Sequence, residues 1–125
     1  MVMPKQGLPR TFNLVKREVT VPGYEGCWVR FRDDVTVGEL EVLDNPPDFR
    51  TVREILADYI EDWNLPDPKH RGKRLPRPYK KPEVLARLPL KLLYWCIAAL
   101  TGVALSSPTG PFGEESPSAS ESGEP

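Results

Sequence analysis

The sequence has few of the residues from which enzymatic and metal sites are built. It contains one histidine, His70, and two cysteines, Cys27 and Cys96, which lie far apart and form no CxxC motif. A single histidine supports neither a catalytic triad nor a histidine-rich metal site, and the cysteine spacing supports neither a zinc cluster nor a thioredoxin-like site. We therefore predict a surface histidine, two buried free thiols, no metal, no cofactor and no enzymatic activity.

Other signatures of catalysis, nucleotide binding and export are also missing. The glycines of GYEG and TGPFG do not join a strand to a helix, as a phosphate-binding loop requires. The carboxylate pairs Asp33–Asp34 and Glu61–Asp62 are adjacent in sequence at positions that we expect to be exposed, which does not favour an acid and base pair. The start, MVMPKQGLPR, lacks the apolar core of a signal peptide, so we expect a cytoplasmic protein.

No apolar run is long enough for a typical membrane span. The longest, residues 92–105, has about 14 residues, whereas a spanning helix needs about 20. Lys80, Lys81, Arg87 and Lys91 precede this run, which keeps a membrane anchor as an alternative. The main expectation is that the protein does not bind membranes.

The chain also lacks the positive excess that is typical of nucleic-acid-binding modules, because its net charge is −1. The charges are nevertheless segregated. Residues 33–62 are mostly acidic, whereas residues 69–81 hold no acid and seven of the seventeen basic residues. This basic patch consists of Lys69, Arg71, Lys73, Arg74, Arg77, Lys80 and Lys81. It either pairs with the acidic segment or faces an acidic partner; a small nucleic-acid-binding regulator is the alternative.

The first half of the foldable region predicts a hairpin and one short helix. FNLVKREVTV and CWVRF are β-rich runs separated by the turn formers PGYEG, and alternation places Val29 and Phe31 on one face. A capping box, TVGE, then begins a helix at Thr36. Pro46 and Pro47 end the helical region.

Three further helices are predicted. DFRTVREILADYIEDWNL reads as one amphipathic helix to Leu65, capped by Asp48 or beginning at a second capping box, Thr51 to Glu54. A proline-stiffened connector leads to two helices that open at Pro82 and Pro89. The last is apolar nearly all round, so it is either central in the core or presents a second apolar face to another chain.

The predicted fold is therefore α+β and mainly α. A small N-terminal β hairpin packs on three or four helices in a single domain over residues 12–105. Residues 1–11 are expected to be a flexible N-terminus. Residues 106–125, rich in serine, proline, glycine and glutamate, are expected to be a disordered tail.

Four stretches resemble a known family: WVRFRDDVTVGELEVL at residues 28–43, IEDWNL at 60–65, GKRLPRP at 72–78 and EVLARLPLKLLYWCIAAL at 83–100. In this order they resemble the tail assembly chaperones of long-tailed, siphovirus-like bacteriophages. The likeness runs from Trp28 to the end of the chain. The chain departs from the family pattern in its very basic connector and in the pair Pro46–Pro47.

The resemblance implies a protein without enzymatic activity that binds the apolar, helical tape measure protein and helps tail tube protein to assemble around it. Such a protein works in the host cytoplasm and is absent from the mature virion, and a translational frameshift can extend its tail. The candidate partner-binding residues are Leu92, Leu93, Trp95, Ile97 and Leu100, with ordinary core packing as the alternative. Self-association and a structural tail or head-completion subunit are further alternatives.

Overall fold

The computed structural model describes residues 12–106, in which three strands and four helices form. They are β1 (Leu14–Glu18), β2 (Trp28–Arg32), α1 (Val37–Asp44), α2 (Phe49–Tyr59), β3 (Ile60–Trp63), α3 (Pro82–Leu85) and α4 (Leu90–Ser106). The predicted α+β class is confirmed, with four helices where three or four were predicted, and a third strand joins the predicted hairpin. The predicted flexible N-terminus and disordered tail lie outside the described residues, except for Ser106, which ends α4.

The N-terminal hairpin forms as the alternation of apolar residues predicts. β1 and β2 are antiparallel, with Val15 opposite Phe31 and Arg17 opposite Val29. The turn closes through a hydrogen bond of 2.9 Å from the Val19 amide to the Cys27 carbonyl. Val29 and Phe31 are fully buried, so this face of the sheet packs into the core.

The predicted helix to Leu65 is wrong in its last part, because α2 ends at Tyr59 and the chain continues as β3. This strand pairs antiparallel with β2 and makes the sheet order β1-β2-β3. A bulge beside Arg30 leaves both Ile60 and Trp63 fully buried, although two residues separate them. Trp63 is docked in the core, where its indole N–H donates to the Pro76 carbonyl over 3.0 Å.

The helix starts follow the predicted caps. The hydroxyl of Thr36 accepts from the Glu39 amide, and the Glu39 carboxylate reaches back to the Thr36 amide, which completes the capping box of α1. For α2 the cap is Asp48, which accepts from the Thr51 amide over 2.8 Å. Pro82 opens α3. α2 is central and packs against α1, α3 and α4.

One face of α4 closes the core. Its buried residues are Leu92, Leu93, Cys96, Leu100 and Val103. The half-buried Trp95 joins α4 to the hairpin, because its indole N–H donates to the Thr20 hydroxyl over 2.9 Å and its ring centroid lies 6.3 Å from that of Phe31. Over residues 12–106, every helix is too short or too polar to span a bilayer.

The connector between β3 and α3 is more structured than the predicted stiff spacer. Leu75 donates its amide to the Leu65 carbonyl over 2.8 Å, and both side chains are fully buried. A second 2.8 Å hydrogen bond, from the Asp67 amide to the Lys73 carbonyl, closes a loop over residues 67–73. Gly72 turns this loop with a φ of 82°.

The polar residues and thiols depart from expectation at two positions. Asp33, expected to be exposed, is buried, and its carboxylate accepts from the Asn13 backbone amide over 2.7 Å and from the Asn13 side-chain amide over 3.2 Å. Both cysteines are free as predicted, and Cys96 is buried, but Cys27 is only partly buried. The other predicted carboxylate pair, at residues 61 and 62, is partly exposed.

Candidate partner-binding surface

The described part of the chain offers no cluster of histidine, cysteine or carboxylate side chains suited to a metal ion. Two surface features stand out within residues 12–106: an apolar face on α4 with an adjoining groove, and a set of exposed cations in the connector.

The outer face of α4 is apolar although it faces solvent. Leu90 and Tyr94 are 54% and 53% exposed, and Leu105, near the other end of the helix, is 69% exposed. These residues fall on one stripe with Ile97 and Thr101, at spacings of three and four. Lys91 is the only charged residue in α4. We call this stripe the outer face of α4.

An apolar groove adjoins the outer face where α4 passes the start of α2. It has a volume of about 250 Å³ and is lined by Pro46, Pro47, Asp48, Phe49, Val52, Tyr94 and Ile97. Asp48 is the only charged lining residue. Its carboxylate already caps α2, and the hydrogen bond from the Thr51 amide lowers its pKa. The groove therefore offers mainly hydrocarbon and aromatic surface to a ligand.

Two aromatic rings border the groove from opposite helices. The ring centroids of Phe49 and Tyr94 are 6.5 Å apart, and the rings are tilted by 46°. Aromatic pairs prefer tilted or offset geometry at this separation. The groove is positioned by backbone features that the sequence encodes: the Pro46–Pro47 pair, which brings the chain into α2, and the Asp48 cap.

The five predicted partner-binding residues divide between the core and the surface. Leu92, Leu93 and Leu100 are buried in the core, so in this conformation they are not available to a partner. Trp95 and Ile97 are half-buried, and Ile97 lines the groove. The predicted role of these five residues in partner binding stays a prediction. Among the five, only Trp95 and Ile97 lie where a partner could reach them.

The most exposed apolar residues of this surface were not predicted from the sequence. Phe49 lies at helical spacing with the apolar residues of the amphipathic helix predicted there, but it is 48% exposed. Leu90 and Tyr94 were not singled out. The signal that could have found them is the all-round apolar character of α4, which is compatible with a second apolar face but does not specify which residues form it.

Three cations of the predicted basic patch pair with the acidic segment, which confirms one of the two interpretations of the segregated charges. Arg74 lies 3.9 Å from Asp62, Arg77 lies 2.5 Å from Glu61, and Lys80 lies 3.0 Å from Asp58. Arg77 also donates to the backbone carbonyl of Glu61 over 2.6 Å. These contacts hold the connector against α2 and β3. These ion pairs contribute only modestly to the stability of the fold, because the cations are about half exposed.

The other four cations of the patch remain exposed and form no ion pair within residues 12–106. They are Lys69, Arg71, Lys73 and Lys81. The first three lie in the loop over residues 67–73, together with His70, which is exposed as predicted. Three of the four unpaired cations of the patch therefore lie on one loop.

Tyr79, the aromatic residue of the basic stretch, is held by its neighbours. Its hydroxyl accepts from the Arg32 guanidinium over 2.9 Å. The cations of Arg77 and Lys80 lie 5.3 Å and 5.4 Å from its ring centroid. The ring is half-buried. It is thus part of the fold, and stacking a nucleic-acid base on it would compete with these contacts.

Scans of protein-family models, curated proteins and solved structures found no match to this chain.

Proposed function

We propose that this protein is a tail assembly chaperone of a long-tailed bacteriophage, which binds the tape measure protein and assists assembly of the tail tube. The proposal rests on the motif resemblance described above. The observation that best supports it is the outer face of α4 with its adjoining groove. In this proposal the protein acts in the host cytoplasm, without enzymatic activity, and leaves before the virion is complete.

The outer face suits an apolar helical client. A helix that buries one face in its own core and exposes a second apolar face can accept the apolar stripe of another helix. Leu90 and Tyr94 would supply the stripe, and the groove between Tyr94 and Phe49 would accept an aliphatic or aromatic side chain of the client. Burying such side chains removes apolar area from water, a favourable contribution of about 25 cal/mol per Å² that is partly offset by the entropy lost on association.

The rest of the protein suits a soluble carrier. Salt bridges such as Arg50–Glu54 and Lys80–Asp58 lie on exposed surface. A charged surface with a single apolar face keeps a protein soluble while it covers the apolar surface of another chain. This combination is expected of a chaperone whose client would otherwise aggregate.

Co-expression with the candidate tape measure protein tests the proposal. The test variant carries Leu90→Asp and Tyr94→Asp on the outer face. The matched control carries Leu14→Asp and Val37→Asp, which place the same charges on exposed apolar residues elsewhere. We expect the wild type and the control to keep the client soluble and to co-purify with it, and the test variant to lose both properties while retaining its circular dichroism.

Two results would contradict the proposal. If the wild type neither retains nor solubilises the client, the chaperone function is wrong. If the protein is instead found at stoichiometric amounts in purified particles, it is a structural tail or head-completion subunit, because an assembly chaperone is released.

A further inference from the structure

We propose that the loop over residues 67–73 is a second binding surface, separate from the outer face of α4, and that it recognises a short acidic segment of a partner protein through Lys69, Arg71 and Lys73. This inference does not depend on the proposed chaperone function. It follows from how the loop is built and from how the structure distributes the seven cations of the basic patch.

The loop is held in shape by its own hydrogen bonds. In addition to the closing bond between Asp67 and Lys73, the His70 amide donates to the Asp67 carbonyl over 3.3 Å, and the Lys73 amide donates to the His70 carbonyl over 3.1 Å. The buried side chains of Leu65 and Leu75 anchor its base. A loop that is already ordered loses less conformational entropy when it binds a partner.

The only carboxylate in the loop, that of Asp67, is paired with a cation outside the loop. Asp67 is buried, accepts from the Lys69 amide over 2.9 Å and forms an ion pair with Arg87. Burial raises the pKa of Asp67, but the hydrogen bond from the Lys69 amide and the positive charge of Arg87 outweigh burial, so the pKa is lowered. Asp67 therefore stays ionised and paired, and it does not cancel the charge of the cations at the tip.

The cations of the basic patch fall into two groups: those that pair with acidic residues of the fold and those that do not. Arg74, Arg77 and Lys80 are paired with the acids of α2 and β3, as described above. Lys69, Arg71 and Lys73 are exposed, and no acid pairs with them within residues 12–106. Three unpaired cations within five residues are self-repelling, and an opposing cluster of carboxylates would relieve that repulsion.

The surroundings favour an acidic protein segment over a nucleic acid. The loop has no phenylalanine, tyrosine or tryptophan on which a base could stack, its one aromatic ring is the small imidazole of His70, and Tyr79 is already held by Arg32. The chain as a whole carries a net charge of −1, so a long polyanion would meet repulsion beyond the loop, whereas a short acidic segment would not. Arg71 can bind a carboxylate through two parallel hydrogen bonds, and the lysines add point charges.

Fluorescence anisotropy on the full-length protein tests this inference. The probe is a labelled, capped peptide of alternating glutamate and serine, and an oligothymidylate with the same number of negative charges is the comparison. Binding is measured at about 50 mM salt, where charge interactions extend beyond 10 Å. The test variant is Lys69→Gln, Arg71→Gln and Lys73→Gln. The control removes three other cations, through Arg17→Gln, Arg50→Gln and Arg53→Gln.

We expect the wild type to bind the peptide more tightly than the oligothymidylate. The test variant should weaken peptide binding by about tenfold or more, whereas the control should change it by about twofold or less. All six positions lie outside the core, so both variants should fold. The inference is overturned if the wild type does not bind the peptide or if the two variants weaken binding equally. It is also overturned if the oligothymidylate binds more tightly, which would assign the loop to nucleic acid.

Discussion

The rings of Phe49, at the start of α2, and Tyr94, on α4, lie 6.5 Å apart between centroids while about half of each side chain remains exposed. The two residues are thus in contact with each other and with solvent at the same time. Together they form the rim of the groove that α2 and α4 leave open. The proposed chaperone function depends on this rim being a binding surface and not part of the core.

The first prediction separates the two faces of α4. Tyr94→Ser should lower the free energy of unfolding by less than about 1 kcal/mol, because the side chain is exposed. Leu92→Ala, on the buried face of the same helix, should lower it by about 2–5 kcal/mol through the cavity that it leaves. Urea unfolding followed by circular dichroism measures both values. Equal losses would show that the outer face is packed.

The second prediction concerns the two thiols. Burial raises the pKa of Cys96 to about 12, whereas Cys27 is partly exposed and its pKa is raised by burial and by the charge of Glu25. Because thiolates react and thiols do not, iodoacetamide should modify Cys27 well before Cys96 at pH 8. Mass spectrometry of the digested protein gives the order. Comparable rates at both cysteines in the native protein would mean that α4 does not pack on the core as described.

The third prediction concerns alkaline stability. Tyr59 donates its hydroxyl to the Glu39 carboxylate, and burial, followed by the hydrogen bond and charge of Glu39, raises the pKa of Tyr59 above its ordinary value of 10. The unfolded chain therefore loses this proton first, and the free energy of unfolding should fall as pH rises above about 10. Tyr59→Phe should cost about 1 kcal/mol at neutral pH and make this alkaline fall shallower.

The fourth prediction concerns the acid side of the same contact. Burial raises the pKa of Glu39, but hydrogen bonds from Tyr59 and from the Thr36 amide and hydroxyl outweigh burial, so the pKa is below its ordinary value of 4.5. The stability from this carboxylate should be present above pH 4.5 and should be lost as pH falls below it. Urea unfolding of Glu39→Gln across this range should show a shallower acid limb than wild type. An unchanged limb would exclude Glu39 as its source.

The fifth prediction concerns the strand that sequence reasoning missed. Trp63→Ala should lower the free energy of unfolding by about 3–5 kcal/mol, because a fully buried indole leaves a large cavity and the Pro76 carbonyl loses its donor. Trp63→Phe should cost less, since most of the apolar contact is kept. Small domains have only about 5–15 kcal/mol in total, so the alanine variant should be close to unfolding. Thermal melts of the two variants establish the order.

The parts of the fold that local sequence determines were predictable. The capping box at Thr36, the cap at Asp48 and the helix start at Pro82 each depend on residues within one turn of one another. The hairpin was also predictable, because Val29 and Phe31 alternate with polar residues. In these cases the interactions that form the helix or strand are between residues close to one another in the sequence.

The third strand was not predictable in the same way. Tyr59 and Trp63 are four residues apart, which is helical spacing, and the residues between them are compatible with a helix. Pairing with β2 decides the outcome, and it brings together residues about thirty positions apart. The bulge beside Arg30 then allows Ile60 and Trp63 to face the core together, which breaks the simple alternation expected of a strand.

An apolar surface on the last helix could be anticipated from the sequence, but the residues that form it could not. The composition of α4 left two alternatives, a helix central in the core or a helix with a second apolar face, and the exposure of Tyr94 and the burial of Leu92 are decided by how α4 meets α2 and the sheet. The cations show the same limit. Their segregation from the acids was visible in sequence, whereas the choice of Arg77 for pairing and Arg71 for solvent depends on the shape of the connector.

Photo-crosslinking from Tyr94 tests the central claim most directly. Benzoylphenylalanine is placed at Tyr94, and at the more exposed Val37 as a control, and each protein is irradiated in cells that also express the tape measure protein. The proposed function predicts a crosslink to the tape measure protein from position 94 and none from position 37. A crosslink of equal yield from both positions, or none from position 94, would contradict the claim that the outer face of α4 binds the client.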